Sequence, residues 1–410
     1  MTRPALELAD VIRAFGPAFE AEYGHTLSGA QRQAMKAITT CRTAALGGHV
    51  EACDGCGHHR IAYNSCRNRH CPKCQSAARA AWLDRQAEDL LPVEYFHVVF
   101  TLPNALGPVA LQNPRLVYGA LFGAVAESLT ELAADPKRLG AEIGFLAVLH
   151  TWGQTLTLHP HIHCVVPGGG LSPDGTRWVS CRPGFFLPVR PLGRLFRGKF
   201  LARLATLHTD GRLALTGSLQ ELADPHRFAD WVEGLRRTDW VVYAKPPFGG
   251  PEQVLKYLAR YTHRVAISNH RLVGLDDRSV AFRWKDYADG DTPKTMTLGG
   301  VEFVRRFLQH VVPGGFVRIR HFGFLANRCR DEKLARCRAL LGQPVEPAPP
   351  PDEASLESGS PAEADDLGVT PAPEPRWCPA CGVGRMIVAE TFLGPLPPRR
   401  ACASATGDTS

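Results

Sequence analysis

Between positions 41 and 74 the chain carries Cys41, Cys53, Cys56, Cys66, Cys71 and Cys74, with His49 and His70 among them. Thiols at this density fold either around disulfides or around metal ions. The chain has 13 cysteines, an odd count, and its first residues run into Glu7 and Asp10 without an apolar export segment. CxxC pairs recur, so the reading is metal thiolates in a reducing cytosol. Cys53-x2-Cys56 and Cys71-x2-Cys74 are separated by fourteen residues, close to the spacing of a zinc ribbon, in which each knuckle gives two thiolates to a tetrahedral ion. The expectation is one structural Zn²⁺ on Cys53, Cys56, Cys71 and Cys74, with Cys41, His49, Cys66 and His70 as the ligands available for a second. A structural zinc has every position filled, so such a module binds and does not catalyse. Arg67, Arg69 and Lys73 stud the second knuckle beside Tyr63 and Asn64. Cations and an aromatic on a rigid knuckle suit DNA phosphates; the plain alternative is a solvated rim.

Charge points the same way. The formal net charge is +7, but residues 343–375 hold eight acidic residues and no Lys or Arg; outside them 47 basic residues face 32 acidic ones, a net +15. A globular part that basic fits a polyanionic partner, nucleic acid first. The acidic segment is rich in Pro, Ala, Glu and Ser and is expected to be disordered. It leads to Cys378-Pro379-Ala380-Cys381, half a zinc site that Cys329 and Cys337 could complete. No run of eighteen apolar residues occurs, so no membrane partner is expected, and the location expected is the cytoplasm, on the nucleoid when DNA is bound. Four segments follow: 1–92 helical and zinc-binding, 93–342 the main α+β domain, 343–375 a linker and 376–410 a tail.

In the main domain, apolar periodicity predicts helices near 113–134, 192–207, 225–237 and 300–310, preceded by helices near 5–22, 28–40 and 75–90. Strands are predicted near 93–103, 144–152, 157–166, 240–245, 265–268, 271–275, 280–285, 294–298 and 316–321. The arrangement implies a central antiparallel sheet. The strand near 157–166 contains His159-Pro160-His161-Ile162-His163. Side chains two apart on a strand share a face, so His161 and His163 aim at one point, a geometry suited to a divalent metal. A pair of surface histidines is the bland alternative. His159, His150 and Gln253 are the candidates for a third ligand, with His159 preferred. Further on, a helix expected over 252–264 places Tyr257 and Tyr261 one turn apart on one face, flanked by Lys256, Arg260 and Arg264. A bare YxxxY is ordinarily a half-buried helix face. Beside a metal, a phenol can instead attack a phosphodiester that the ion polarises.

The motifs together resemble a known family. Asn64-Ser65-Cys66-Arg67-Asn68-Arg69-His70-Cys71-Pro72-Lys73-Cys74, His97-Val98-Val99-Phe100-Thr101-Leu102-Pro103, His159 through Gly169, Tyr257 through Arg264 and His321 through Cys329 occur in order. They are similar to the two-tyrosine HUH (His-hydrophobe-His) transposases of the insertion-sequence-ninety-one family. The resemblance implies an HUH-type antiparallel sheet with flanking helices behind a zinc-ribbon-like N-terminal domain. It implies Mg²⁺ or Mn²⁺ on His161 and His163, and nicking of single-stranded DNA by Tyr257 and Tyr261 at element ends and target, leaving 5′-phosphotyrosine. An oligomer would be compatible with this chemistry. The competing readings are a plasmid replication initiator or relaxase-like nickase, a metallohydrolase, and a non-catalytic zinc-ribbon nucleic-acid binder.

Overall fold

The computed structural model describes residues 4–248, 253–254, 265–342 and 377–394. The chain begins with helices α1 (Leu8–Tyr23) and α2 (Gly29–Thr40). Ser28 starts α2 with a reciprocal cap: its hydroxyl accepts from the Gln31 N–H while its own N–H donates to Gln31 Oε1. Strands β1 (Gly48–Cys53) and β2 (His59–Tyr63) follow, then α3 (Pro72–Glu88). That helix starts three residues earlier than periodicity predicts, because Pro72 stands at its first turn with Cys71 as N-cap. Next come β3 (Tyr95–Thr101), α4 (Gly107–Gln112), α5 (Pro114–Ala134), β4 (Gly144–Trp152), β5 (Leu158–Pro167), β6 (Gly169–Leu171) and β7 (Trp178–Ser180). The chain continues with α6 (Val189–Thr209), α7 (Pro225–Arg237), β8 (Val242–Phe248), β9 (Leu272–Leu275), β10 (Ser279–Asp286) and β11 (Thr292–Gly299). Last are α8 (Gly300–Leu308), β12 (Ile319–Gly323), α9 (Arg330–Leu340) and β13 (Met386–Phe392). The expected strand at 265–268 is not one; Ala266 and Ile267 are buried there without ladder partners. The expected linker, 343–375, lies outside the described residues.

The central sheet has five strands in the order β12-β4-β5-β3-β8, every pair antiparallel. Pro246 and Pro247 lack an N–H, and they occur on an edge strand, β8, where the ladder can spare one. Alternation divides the sheet into two faces with different uses. Phe96, Val98 and Phe100 of β3, Phe145, Ala147 and Leu149 of β4, and Ile162, Cys164 and Val166 of β5 all face the main core with α5 and α6. Helix α5 is long and apolar enough to cross a membrane by length and composition, but 61% of its most apolar window is buried in this core. The residues in between, among them His97, His150, His161 and His163, therefore face the other way. That second face carries a smaller cluster of Trp82, Tyr95, Leu146, Val148, Val165 and Val254.

A further core joins the first helices to the segment that follows residue 265. Leu8, Val11, Ile12, Phe15 and Phe19 of α1 share one core with Leu272, Phe282, Phe303 and Phe307. The approach is close: a Cβ on Gly300 would come within 2.2 Å of the Phe15 ring. A sequence boundary near 92 thus separates no hydrophobic cores, since the first helices complete a core whose other half follows residue 265. Strands β9, β10 and β11 form the small sheet beneath them, and β13 pairs with β1 in the separate sheet β13-β1-β2.

Candidate functional site

On the second face of the sheet, the register of β4 against β5 sets His150 directly opposite His161 and Val148 opposite His163. One ring nitrogen each from His150, His161 and His163 lies within 4.8 Å of the other two. His159, the third ligand preferred from the sequence, is not in that group. Alternate residues of one strand are spaced about 6.6 Å apart, so side chains at 159, 161 and 163 span about 13 Å, too far for one ion. A cross-strand neighbour is only about 5 Å away, and that neighbour is His150.

His161 and His163 each make a hydrogen bond at Nδ1. The His161 Nδ1 contacts the His159 carbonyl oxygen at 2.6 Å, so Nδ1 carries the proton and donates it, which makes Nε2 the unprotonated ring nitrogen. The His163 Nδ1 lies 2.8 Å from the His97 Nε2, with the rings stacked at 10°. His97 is buried, and that burial, reinforced by Lys245 and His161, holds its pKa down to about 3. A neutral His97 can accept at Nε2, and the tautomer in which His163 donates through Nδ1 turns the unprotonated Nε2 of His163 to the group of three imidazoles. The carbonyl at His161 is the usual outer partner of a metal-bound imidazole, and a second imidazole takes that place at His163. His97 belonged to a recognised motif, but nothing in the sequence gave it this role. The signal was its place two residues from Val99, which pairs with His163. Nitrogen donors without a carboxylate fit Mn²⁺ better than Mg²⁺, which prefers oxygen.

Tyr257 and Tyr261 lie outside the described residues, as do Lys256, Arg260 and Arg264. Gln253 and Val254 are described and helical. Val254 is fully buried in the cluster on the histidine face, three residues before Tyr257 in sequence. Of the knuckle cations, Arg67 is exposed, whereas Arg69 donates to the Phe316 carbonyl at 2.6 Å. Lys73 is mostly buried and bonds both Glu7 Oε2, at 2.8 Å, and the Cys41 carbonyl.

The cysteines are distributed differently from the expected ribbon. Cys71 and Cys74 do not face Cys53 and Cys56. They join Cys41 and Cys66 in a four-thiol cluster, with Sγ–Sγ distances of 3.5 Å for Cys41–Cys74 and 3.6 Å for Cys66–Cys74. Four ligands about 2.3 Å from a central zinc would lie about 3.8 Å apart, so the spacing suits an ion; a disulfide would be near 2.05 Å. Hydrogen bonds with the Cys66 and Cys71 thiols pull the Cys41 pKa down to about 6, against the opposing effects of Cys74 and burial. Cys53 and Cys56 instead meet Cys378 and Cys381. The two histidines of the expected second site take no part in either group. His49 contacts Glu51 at 3.3 Å, and His70 is buried with Nε2 lacking a partner. Cys329 turns to the Gly323 and Ala326 carbonyls, and Cys337 is buried among Leu91, Leu171, Phe324 and Leu334, so neither completes the C-terminal CxxC.

Comparison with known proteins matches residues 11–102 to a family described as "Transposase zinc-binding domain" and residues 144–333 to one described as "Putative transposase". The chain is 57% identical over 400 residues to "Putative transposase y4qJ" of Sinorhizobium fredii, covering 98% of this chain and 99% of the relative. It is 28% identical over 330 residues to "Transposase for insertion sequence element IS801" of Pseudomonas savastanoi pv. phaseolicola, covering 77% and 74%.

Proposed function

The chain belongs to the insertion-sequence-ninety-one family of transposases, with an N-terminal zinc-binding domain, and from that premise we propose that it cuts and rejoins single-stranded DNA through phosphotyrosine. The observation that carries the proposal is the group of three imidazoles on rigid, paired strands. His150, His161 and His163 would hold a divalent ion, Mn²⁺ or Mg²⁺, which when bound polarises the scissile phosphate as a Lewis acid. The phenol oxygen of Tyr257 or Tyr261 attacks phosphorus and gives up its proton. The bond from phosphorus to O3′ breaks, and O3′ takes up a proton. The products are a 5′-phosphotyrosine and a free 3′-OH, and the reverse attack by a 3′-OH rejoins the strand. Two tyrosines let one end stay attached while the second is cut. The zinc-binding domain, with its ion on Cys41, Cys66, Cys71 and Cys74, holds a neighbouring DNA segment, with the exposed Arg67 directed to phosphate. The basic balance outside residues 343–375 supports this partner.

The deciding experiment incubates the full chain with labelled single-stranded DNA from the element ends in Mn²⁺ or Mg²⁺ and resolves it on a denaturing gel. A protease-sensitive protein–DNA band, absent after chelation and in Tyr257→Phe/Tyr261→Phe, is expected. Cleaved DNA with no adduct would make water the nucleophile and the protein a hydrolase. Ordering of His163 adds a second readout. His97→Ala should weaken metal affinity by about 10- to 100-fold while leaving the adduct yield at saturating Mn²⁺ largely restored. Unchanged Mn²⁺ titration in that variant would remove His97 from the site.

A further inference from the structure

The second four-thiol cluster joins the chain's two ends. Cys53 approaches Cys381 at 3.8 Å and Cys56 approaches Cys378 at 3.6 Å, across sequence separations of 328 and 322 residues. Both halves are built alike. Cys53-Asp54-Gly55-Cys56-Gly57 and Cys378-Pro379-Ala380-Cys381-Gly382 are the CxxC pairs followed by glycine, and Gly57 and Gly382 hold φ of 70° and 71°, a conformation that favours glycine. In each knuckle backbone N–H groups point at sulfur: Gly55 and Cys56 onto Cys53, Ala380 onto Cys378 and Gly384 onto Cys381, at 3.3–3.4 Å. Such donors stabilise thiolate. The knuckles are locked together by Asp54, whose N–H donates to the Arg385 carbonyl and whose Oδ1 accepts from the Arg385 N–H. Gly384 is packed so closely that a Cβ there would lie 2.4 Å from the Cys53 sulfur.

The hairpin carrying Cys378 and Cys381 has little else to hold it. In β13 only Phe392 is buried, while Ile387 and Val388 are about half exposed. Strand pairing with β1 supplies hydrogen bonds but almost no apolar burial, and a strand held this way is weak on its own.

We propose that Cys53, Cys56, Cys378 and Cys381 bind a second structural zinc ion, and that this ion fastens the C-terminal hairpin to β1, completing a zinc ribbon from opposite ends of the chain. Cys53 and Cys56 lie within the zinc-binding domain matched at residues 11–102 and Cys378 and Cys381 far outside it, and the site is independent of the DNA chemistry.

The test is zinc per full-length chain by mass spectrometry of the metal. The wild type should hold two ions and Cys381→Ser one. Cys381 is exposed, so serine leaves the packing undisturbed, and Cys381→His, which restores a fourth ligand, should return the count to two. One ion in the wild type, or two in Cys381→Ser, overturns the site. A second measurement uses the full chain with a protease site introduced between residues 343 and 376. After nicking, the tail should co-elute with the wild-type body and separate from Cys381→Ser. Release from both, or retention by both, overturns the fastening role.

Discussion

The two thiol clusters have the same four ligands and occupy opposite surroundings. Cys41 and Cys71 are fully buried and belong to the core formed by Ile38, Phe15, Phe282 and Phe307. Cys56 and Cys381 are exposed, and the sheet around them buries little apolar surface. The first cluster closes within a short stretch of chain, and the second spans nearly all of it. The first is therefore part of the packing that holds α1 and α2 to the small sheet. The second is an attachment, and its loss should be felt only where it attaches.

The largest effect that would break this contrast is at Cys71. Cys71→Ser removes a ligand from the inner cluster. The apparent free energy of a structural zinc, about 10–16 kcal/mol, is comparable to the whole stability of a domain, about 5–15 kcal/mol. Hydrogen exchange over α1 and α2 should rise to the unfolded rate, and the ellipticity of those helices should be lost on mild heating. Protection of α1 equal to wild type would show that the inner ion is as peripheral as the outer one.

Much of this was legible in the sequence, and what was not has a physical reason. Periodicity located the longer helices and the core strands, because Phe96, Val98 and Phe100 or Phe145, Ala147 and Leu149 alternate over a real apolar face; the short α4 and the polar α9 were not predicted. The convergence of His161 and His163 followed from the same alternation. The third imidazole did not, because His150 reaches them through the β4–β5 register, which no local spacing encodes. The cysteines misled for a related reason. Two knuckles fourteen residues apart look like partners, yet α3 begins at Pro72 and turns the second toward the core. The clue lay in the glycine after Cys56 and Cys381, where Cys74 is followed by Gln75. β13 was not predicted: its apolar run Met386–Ala389 is short and does not alternate, and most of the strand is exposed.

Lys73 sharpens the comparison at the next level of effect. Its ammonium reaches Glu7, the N-cap residue of α1, and the carbonyl of Cys41, with both side chains close to nine-tenths buried. It thus ties the inner cluster to the first helix. Lys73→Met keeps the apolar stem but removes the ammonium from the mostly buried Glu7 carboxylate, which also caps the first turn of α1. Removing one partner of such a pair costs about 3–5 kcal/mol. Urea denaturation should register that loss while zinc content stays at the wild-type value. A shift below about 1 kcal/mol would mean that α1 is held by its apolar face alone.

The outer ribbon supplies the matching small effect. Arg60 on β2 stands opposite Glu51 on β1 and donates to Glu51 Oε2 from Nε at 2.9 Å and from an NH₂ group at 2.5 Å. The Arg60 side chain is 41% exposed, so water screens its side of the pair, and His49 stands 3.3 Å from the carboxylate as a second partner. Cross-strand ion pairs of this kind contribute up to about 1 kcal/mol. Arg60→Ala should therefore lower the global urea midpoint barely at all and raise exchange only in β1, β2 and β13. A change in α1 or α2 protection would couple the ribbon to the inner core. In that case the two clusters would be one cooperative unit, and the outer zinc would contribute to the stability of the whole fold.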